Sequence, residues 1–149
     1  MAMAEMVFEF FESLNWHIAY LENSTAVSME YRGKKGTFTC HMHVLEEAQQ
    51  IVYYSIFPAH VPEDKRGTVM AFLTYANYGL IYGNFEINLD DGQVRYKTSI
   101  DVEGNGLSHS LLQPIVFINV STLDHYFESL MSLIYKDISI EDALKLVNR

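Results

Sequence analysis

The chain has 149 residues, enough for one domain that buries roughly two thirds of its unfolded surface. Hydrophobic residues make up 49% of it and aromatics 13%, which excludes a disordered chain and provides for a substantial core. Against 19 acidic residues stand only 10 basic ones, a net charge of −9 that argues against nucleic acid and anionic membrane as partners.

Residues 3 to 14 place Met3, Met6, Val7, Phe10, Phe11 and Leu14 at three-to-four spacing with Glu5, Glu9 and Glu12 between them. That period predicts an amphipathic helix, with Asn15 as its stop. Trp16 to Tyr20 reads as a strand or as a packed connection. Val27, Met29 and Tyr31 then alternate with Ser28, Glu30 and Arg32, the period of a half-buried strand. Gly33-Lys34-Lys35-Gly36 is a turn with its lysines toward water, and Phe38, Cys40, Met42 and Val44 alternate with Thr37, Thr39, His41 and His43. After a polar turn at Glu46 to Gln49, Ile51 to Phe57 is apolar in both alternating sets, so the strand is covered on both faces or lends one to a partner.

Pro62, followed by Glu63 and Asp64, opens a second helix whose stripe is Val69, Phe72, Leu73, Ala76 and Leu80. Phe85, Ile87 and Leu89 form one arm of a β-hairpin, Asp91-Gly92 its turn, and Val94, Tyr96, Thr98 and Ile100 the other arm. Asp101 to Ser108 is a loop. A helical pattern follows to Tyr135, with Pro114 near its start and an interruption expected around Asn119 to Thr122. Ser139 with Asp142 three residues on marks the start of a last helix through Val147. The order is α-β-β-β-α-β-β-α(α), with no repeat and no linker, so residues 1–149 form a single α+β domain.

Five runs in that order resemble the YbjN-like family of bacterial sensory-transduction regulators. They are Val61-Pro62-Glu63-Asp64-Lys65-Arg66, Asn77-Tyr78-Gly79, Gly83-Asn84-Phe85-Glu86, Asp90-Asp91-Gly92-Gln93-Val94-Arg95-Tyr96 and Ser139-Ile140-Glu141-Asp142-Ala143. The resemblance spans nearly the whole chain and implies a type III secretion chaperone-like fold, an antiparallel five-stranded sheet with helices on one side. It also implies a commonly dimeric protein that binds protein segments, and it brings no catalytic residues.

The residues themselves give no catalytic centre. His41 and His43, at alternate strand positions, share a face and could supply two metal ligands, but no His or Cys motif supplies a third. Cys40 alternates with Phe38 and Met42 and reads as inert core, with His41 on the opposite face. Glu46-Glu47, Asp90-Asp91 and Glu141-Asp142 fall in turns or a first helical turn, where acids solvate and cap. Gly104-Asn105-Gly106 lacks the further glycines, or the Lys-Ser/Thr, of a phosphate loop. No cofactor is expected.

No window reaches about 18 uninterrupted apolar residues, and Glu5 and Glu9 stand where a secretory signal needs a basic segment and an apolar run. With one cysteine, the expected compartment is reducing cytoplasm.

The sharpest expectation comes from counting faces. An even-length turn at Glu46 to Gln49 pairs Val44 with Ile51, Met42 with Tyr53 and Phe38 with Phe57 on the core side. Leu45, Val52, Tyr54 and Ile56 then lie on the other face beside His41 and His43, an apolar patch for a homodimer or a client protein. An odd-length turn would exchange the two faces. The expected function is a non-enzymatic, chaperone-like or regulatory domain that dimerises and holds a segment of a partner protein. The alternative is a small-ligand or metal-binding module around His41 and His43.

Overall fold

A computed structural model describes residues 2–21 and 25–148. Helix α1 (Met3–Ser13) buries Met3, Val7, Phe10 and Phe11 and leaves its glutamates in water. It ends where Asn15 takes a left-handed φ of 60° and the Trp16 amide returns to the Phe11 carbonyl at 3.0 Å. Its first turn is capped from a distance. The Glu46 carboxylate, in the turn at residues 46–49, accepts from the amides of Ala4 at 2.9 Å and Met3 at 3.4 Å.

Among the described residues the sheet has six antiparallel strands: β1 (Ala19–Tyr20), β2 (Ala26–Arg32), β3 (Thr37–Leu45), β4 (Gln50–Ile56), β5 (Asn84–Ile87) and β6 (Val94–Asp101). They lie in the order β1-β2-β3-β4-β6-β5. Five strands were expected; the sixth is β1, where Ala19 pairs with Ser28 and Tyr20 with Val27. A two-residue strand is too short to show a period, which is why Trp16 to Tyr20 reads ambiguously in sequence. The four-residue turn sets the expected β3–β4 register, with Val44 opposite Ile51, Met42 opposite Tyr53 and Thr39 opposite Ile56.

Helices α1, α2 (Arg66–Gly79) and α3 (His109–Tyr135) cover one face of this sheet, and α4 (Ile140–Val147) packs on α2 and α3. A short 3₁₀ turn at Glu63–Lys65 precedes α2, whose buried stripe is Val69, Phe72, Leu73 and Ala76 as the spacing predicts. The Arg66 guanidinium donates to the carbonyls of Val61 (2.9 Å), Leu89 (3.1 Å) and Asp90 (3.3 Å). Gly92 has φ 79° and backs onto Val61, whose carbonyl a Cβ there would approach to 2.2 Å. This clamp corrects the hairpin: its arms end at Ile87 and Val94, and Leu89 sits exposed in a longer loop instead of on the strand.

The expected interruption of α3 at Asn119–Thr122 does not occur. Ser121 and Thr122 return their hydroxyls to the Ile118 carbonyl, so their polarity is satisfied within the helix. Asn119 is fully buried and reaches the sheet, donating to the carbonyls of Tyr53 (2.9 Å) and Tyr96 (3.2 Å) and to Thr98 Oγ1 (3.0 Å), while its Oδ1 accepts from Ser55 Oγ. One turn on, the Asp124 carboxylate accepts from the amides of Lys34 (3.0 Å), Lys35 (2.9 Å) and Gly36 (3.2 Å), tying the β2–β3 turn to α3. Gly33 is required by close approach, since a Cβ there would lie 2.2 Å from Asp124 Oδ1. Ser108 and Ser139 cap α3 and α4, accepting from Leu111 (3.3 Å) and Asp142 (3.0 Å).

Candidate functional site: the open sheet face

The face of the sheet opposite the helices is built from alternate residues of β3, β4, β5 and β6. Cross-strand pairing sets His43 beside Val52, His41 beside Tyr54 and Thr39 beside Ile56. On the other flank Val52 pairs with Ser99, Tyr54 with Lys97 and Ile56 with Arg95. Leu45 (40% exposed) and the half-buried Val52, Tyr54 and Ile56 therefore share the face turned away from Tyr53 and Ser55, the side that α3 packs on, and no helix among the described residues lies over them.

Tyr54 is the fixed point of this surface. The Arg95 guanidinium lies 4.0 Å over its ring and the His43 ring meets it edge-on at 5.7 Å. Glu86, on β5, holds both neighbouring cations: Oε1 accepts from Arg95 Nε at 2.8 Å and Oε2 from Lys97 Nζ at 2.9 Å. Burial pushes the Glu86 carboxyl up, but Lys97 and Arg95 together hold it below its ordinary value. Two cations against one carboxylate give this patch a local positive excess within an acidic chain.

The sequence reading missed the Glu86–Arg95–Lys97 cluster. Its members appear as alternate polar residues on a hairpin, which is legible. Their place beside Tyr54 follows from β6 pairing with β4 across an intervening helix and β5, which is not.

His41 and His43 do share this face, and burial, then His43, holds the His41 imidazole below its ordinary value. Among the described residues no group of three His, Cys, Asp or Glu could hold a metal ion. Cys40 is wholly buried 3.5 Å from Ser55 Oγ, and burial pushes its thiol up, away from nucleophilic use. The acidic pairs serve structure: Glu46 caps α1, Asp91 accepts from Gln93 at 2.9 Å, and Glu141 pairs with Lys145 at 3.5 Å. Gly104 and Gly106 are open loop glycines with positive φ. No helix among the described residues is long and apolar enough to cross a membrane.

The architecture is a known one. Over 86% of this chain and 96% of its own, a chain of the ExsC–ExsE complex superposes at a TM-score of 0.63 with 12% identity. A chain of the HopA1–SchA chaperone–effector complex superposes at 0.55 with 13% identity, over 83% of this chain and 91% of its own. The third neighbour is the crystal structure of YbjN, "a putative transcription regulator from E. coli", at 0.62 and 12% identity over 81% and 85%. These likenesses define the class, a type III secretion chaperone-like α+β fold. The sequence itself goes further: residues 3–131 match the model of the YbjN family, "Putative bacterial sensory transduction regulator", and the chain belongs to that family. A search of curated proteins finds no match.

Proposed function

We propose that this protein is a non-enzymatic binding protein that dimerises and holds a segment of a partner polypeptide against its open sheet face. One observation carries the reading: Leu45, Val52, Tyr54 and Ile56 form an apolar row left uncovered by the helices, around a tyrosine already oriented by Arg95 and His43. Fixing Tyr54 before binding lowers the ordering cost that a partner would otherwise meet. The Glu86–Arg95–Lys97 cluster borders the row with satisfied charges, the polar rim expected of a recognition surface. The chaperone–effector neighbour supports the same role, and a free, buried Cys40 suits a reducing cytoplasm.

The test is affinity capture from native lysate with the parent protein and with Tyr54→Glu. A stoichiometric protein bound by the parent should be lost with Tyr54→Glu, because a charge in an apolar contact weakens binding roughly tenfold or more. Capture that is indifferent to Tyr54→Glu removes this face from the function. One bound metal ion per chain, lost on His41→Ala, would instead establish the metal-binding alternative.

A further inference from the structure

The open sheet face carries a charge opposite to that of the molecule as a whole. Val52, Tyr54 and Ile56 run along β4, with His43, His41 and Thr39 across from them on β3 and Ser99, Lys97 and Arg95 on β6. The apolar ridge is thus bordered on both sides by groups that are, or can become, cationic. Against the Glu86 carboxylate stand two cations, and four when both imidazoles are protonated, in a chain of net charge −9.

Several donors on this face have no acceptor among the described residues. Arg95 uses only Nε on Glu86, so both Nη groups stay open beside the Tyr54 ring. Lys97 Nζ gives Glu86 one of its hydrogens. Neither the His41 nor the His43 ring has a hydrogen bond or ion pair among the described residues. Facing those rings are Ser28 and Ala26 on β2 and Tyr54 and Val52 on β4. Glu30 is diagonal to His41 and already meets Arg32, so no carboxylate stands directly across from either imidazole.

A ridge with cations on both flanks selects the shape of its occupant as well as the charge. An extended segment laid on the sheet turns one line of side chains toward it and the next line away, so it cannot set acids on both flanks. A helix can, because residues beside its i, i+3, i+4, i+7 stripe project to either side. Val52 to Ile56 spans about 13 Å along the strand, the rise of about nine helical residues.

Resting on the binding role proposed above, we infer that the occupant of this face is an acidic amphipathic helix of the partner polypeptide. Its apolar stripe lies on Val52, Tyr54 and Ile56, with carboxylates on Arg95 and Lys97 to one side and on His41 and His43 to the other. A chain at −9 repels such a helix in general, so attraction confined to this face fixes where it docks. Bound carboxylates favour the charged imidazoles, so association takes up protons and tightens as pH falls. In the free protein burial, then His43, holds His41 below its ordinary value, which keeps this ring uncharged near neutrality until the helix arrives.

The experiment is fluorescence anisotropy with labelled helical probes of about 14 residues, each with leucine at i, i+3, i+4 and i+7 flanked by Glu, Gln or Lys. The parent protein should bind the Glu probe roughly tenfold tighter than the Gln probe, and the Lys probe most weakly. Raising salt from about 50 to about 300 mM should remove most of that difference. Lowering the pH from about 7.5 to about 6 should tighten the Glu probe about threefold or more and leave the Gln probe unchanged. That pH response should vanish in the double variant His41→Gln, His43→Gln, and the preference for Glu should shrink in Arg95→Gln. Circular dichroism checks that each variant is folded at both pH values. A Gln or Lys probe that binds as tightly as the Glu probe, or a pH response kept by the double variant, overturns the inference. So does failure of all the probes up to about 1 mM while native capture still depends on Tyr54, a result that leaves the face a partner site. Glu-probe binding and native capture that both ignore Tyr54→Glu remove the face itself.

Discussion

Strand β4 presents two surfaces from one run of seven residues. Toward the helices, Ile51, Tyr53 and Ser55 are fully buried, and Ser55 is held by Asn119. Toward the open side, Val52, Tyr54 and Ile56 are half-buried, and Tyr54 is held by ionisable neighbours from β3 and β6. The two sets are equally apolar in composition apart from Ser55. What separates them is whether helices of this chain pack over them, and composition cannot reveal that. The covered set should answer to stability measurements and the open set to binding measurements.

The largest stability loss belongs to the covered side. Phe72 on α2 is fully buried with its ring 6.1 Å from that of Tyr126, so Phe72→Ala should cost about 3–5 kcal/mol through lost transfer energy and a cavity. A thermal melt should show Tm lowered by about 10 °C or more. Next comes Asn119→Ala, which strips Ser55 and Thr98 of a buried partner and should cost about 1–3 kcal/mol, read as a fall in the urea midpoint at unchanged slope. Across the strand, Tyr54→Glu should change stability by less than about 1 kcal/mol while abolishing partner capture. A large loss of stability from Tyr54→Glu would erase the distinction between the two surfaces.

Acid should reach the open side with the smallest effect, in two steps of the same sign. Burial, then His43, lowers the folded-state value of His41, so the unfolded chain takes up that proton first. The His41 contribution is present above about pH 6.5 and is lost as pH falls through the lowered folded value. Glu86, net lowered by Lys97 and Arg95 despite burial, behaves likewise below its ordinary 4.5. Urea midpoints across pH 3–7 should therefore decline more gently in His41→Asn near neutrality and in Glu86→Gln at acid pH.

Much of this architecture was legible in the sequence because its signals are local. Alternation and a four-residue turn fix the β3–β4 register, hence the face that carries Leu45, Val52, Tyr54 and Ile56. The runs that carry the family resemblance turn out to hold one another in place. Arg66 of the first binds the loop of the fourth, Asn77 of the second binds Phe85 of the third, and Ser139 of the last caps its own helix. Their specificity as a set is thus a specificity of fold. The Asn119–Thr122 segment misleads in sequence because four consecutive residues include three polar ones, and nothing local tells that Asn119 bonds to strands more than 20 residues away. The neighbourhood of Tyr54 is hidden for the same reason, since Arg95 arrives from 41 positions along the chain.

The Asn77 amide bears on how this sheet guards one of its edges. Its Nδ2 donates to the Phe85 carbonyl at 3.1 Å and its Oδ1 accepts from the Phe85 amide at 2.7 Å. Glu86 and Asn84 pair with Arg95 and Lys97, so Phe85 turns its backbone groups to the outer rim of β5, where a foreign strand would otherwise dock. A side chain has taken the place of that strand. At the far rim β1 covers two residues of β2, and beyond it Glu30 and Arg32 meet at 3.4 Å, charges that discourage strand addition. Both rims are thus poor templates for fibre growth.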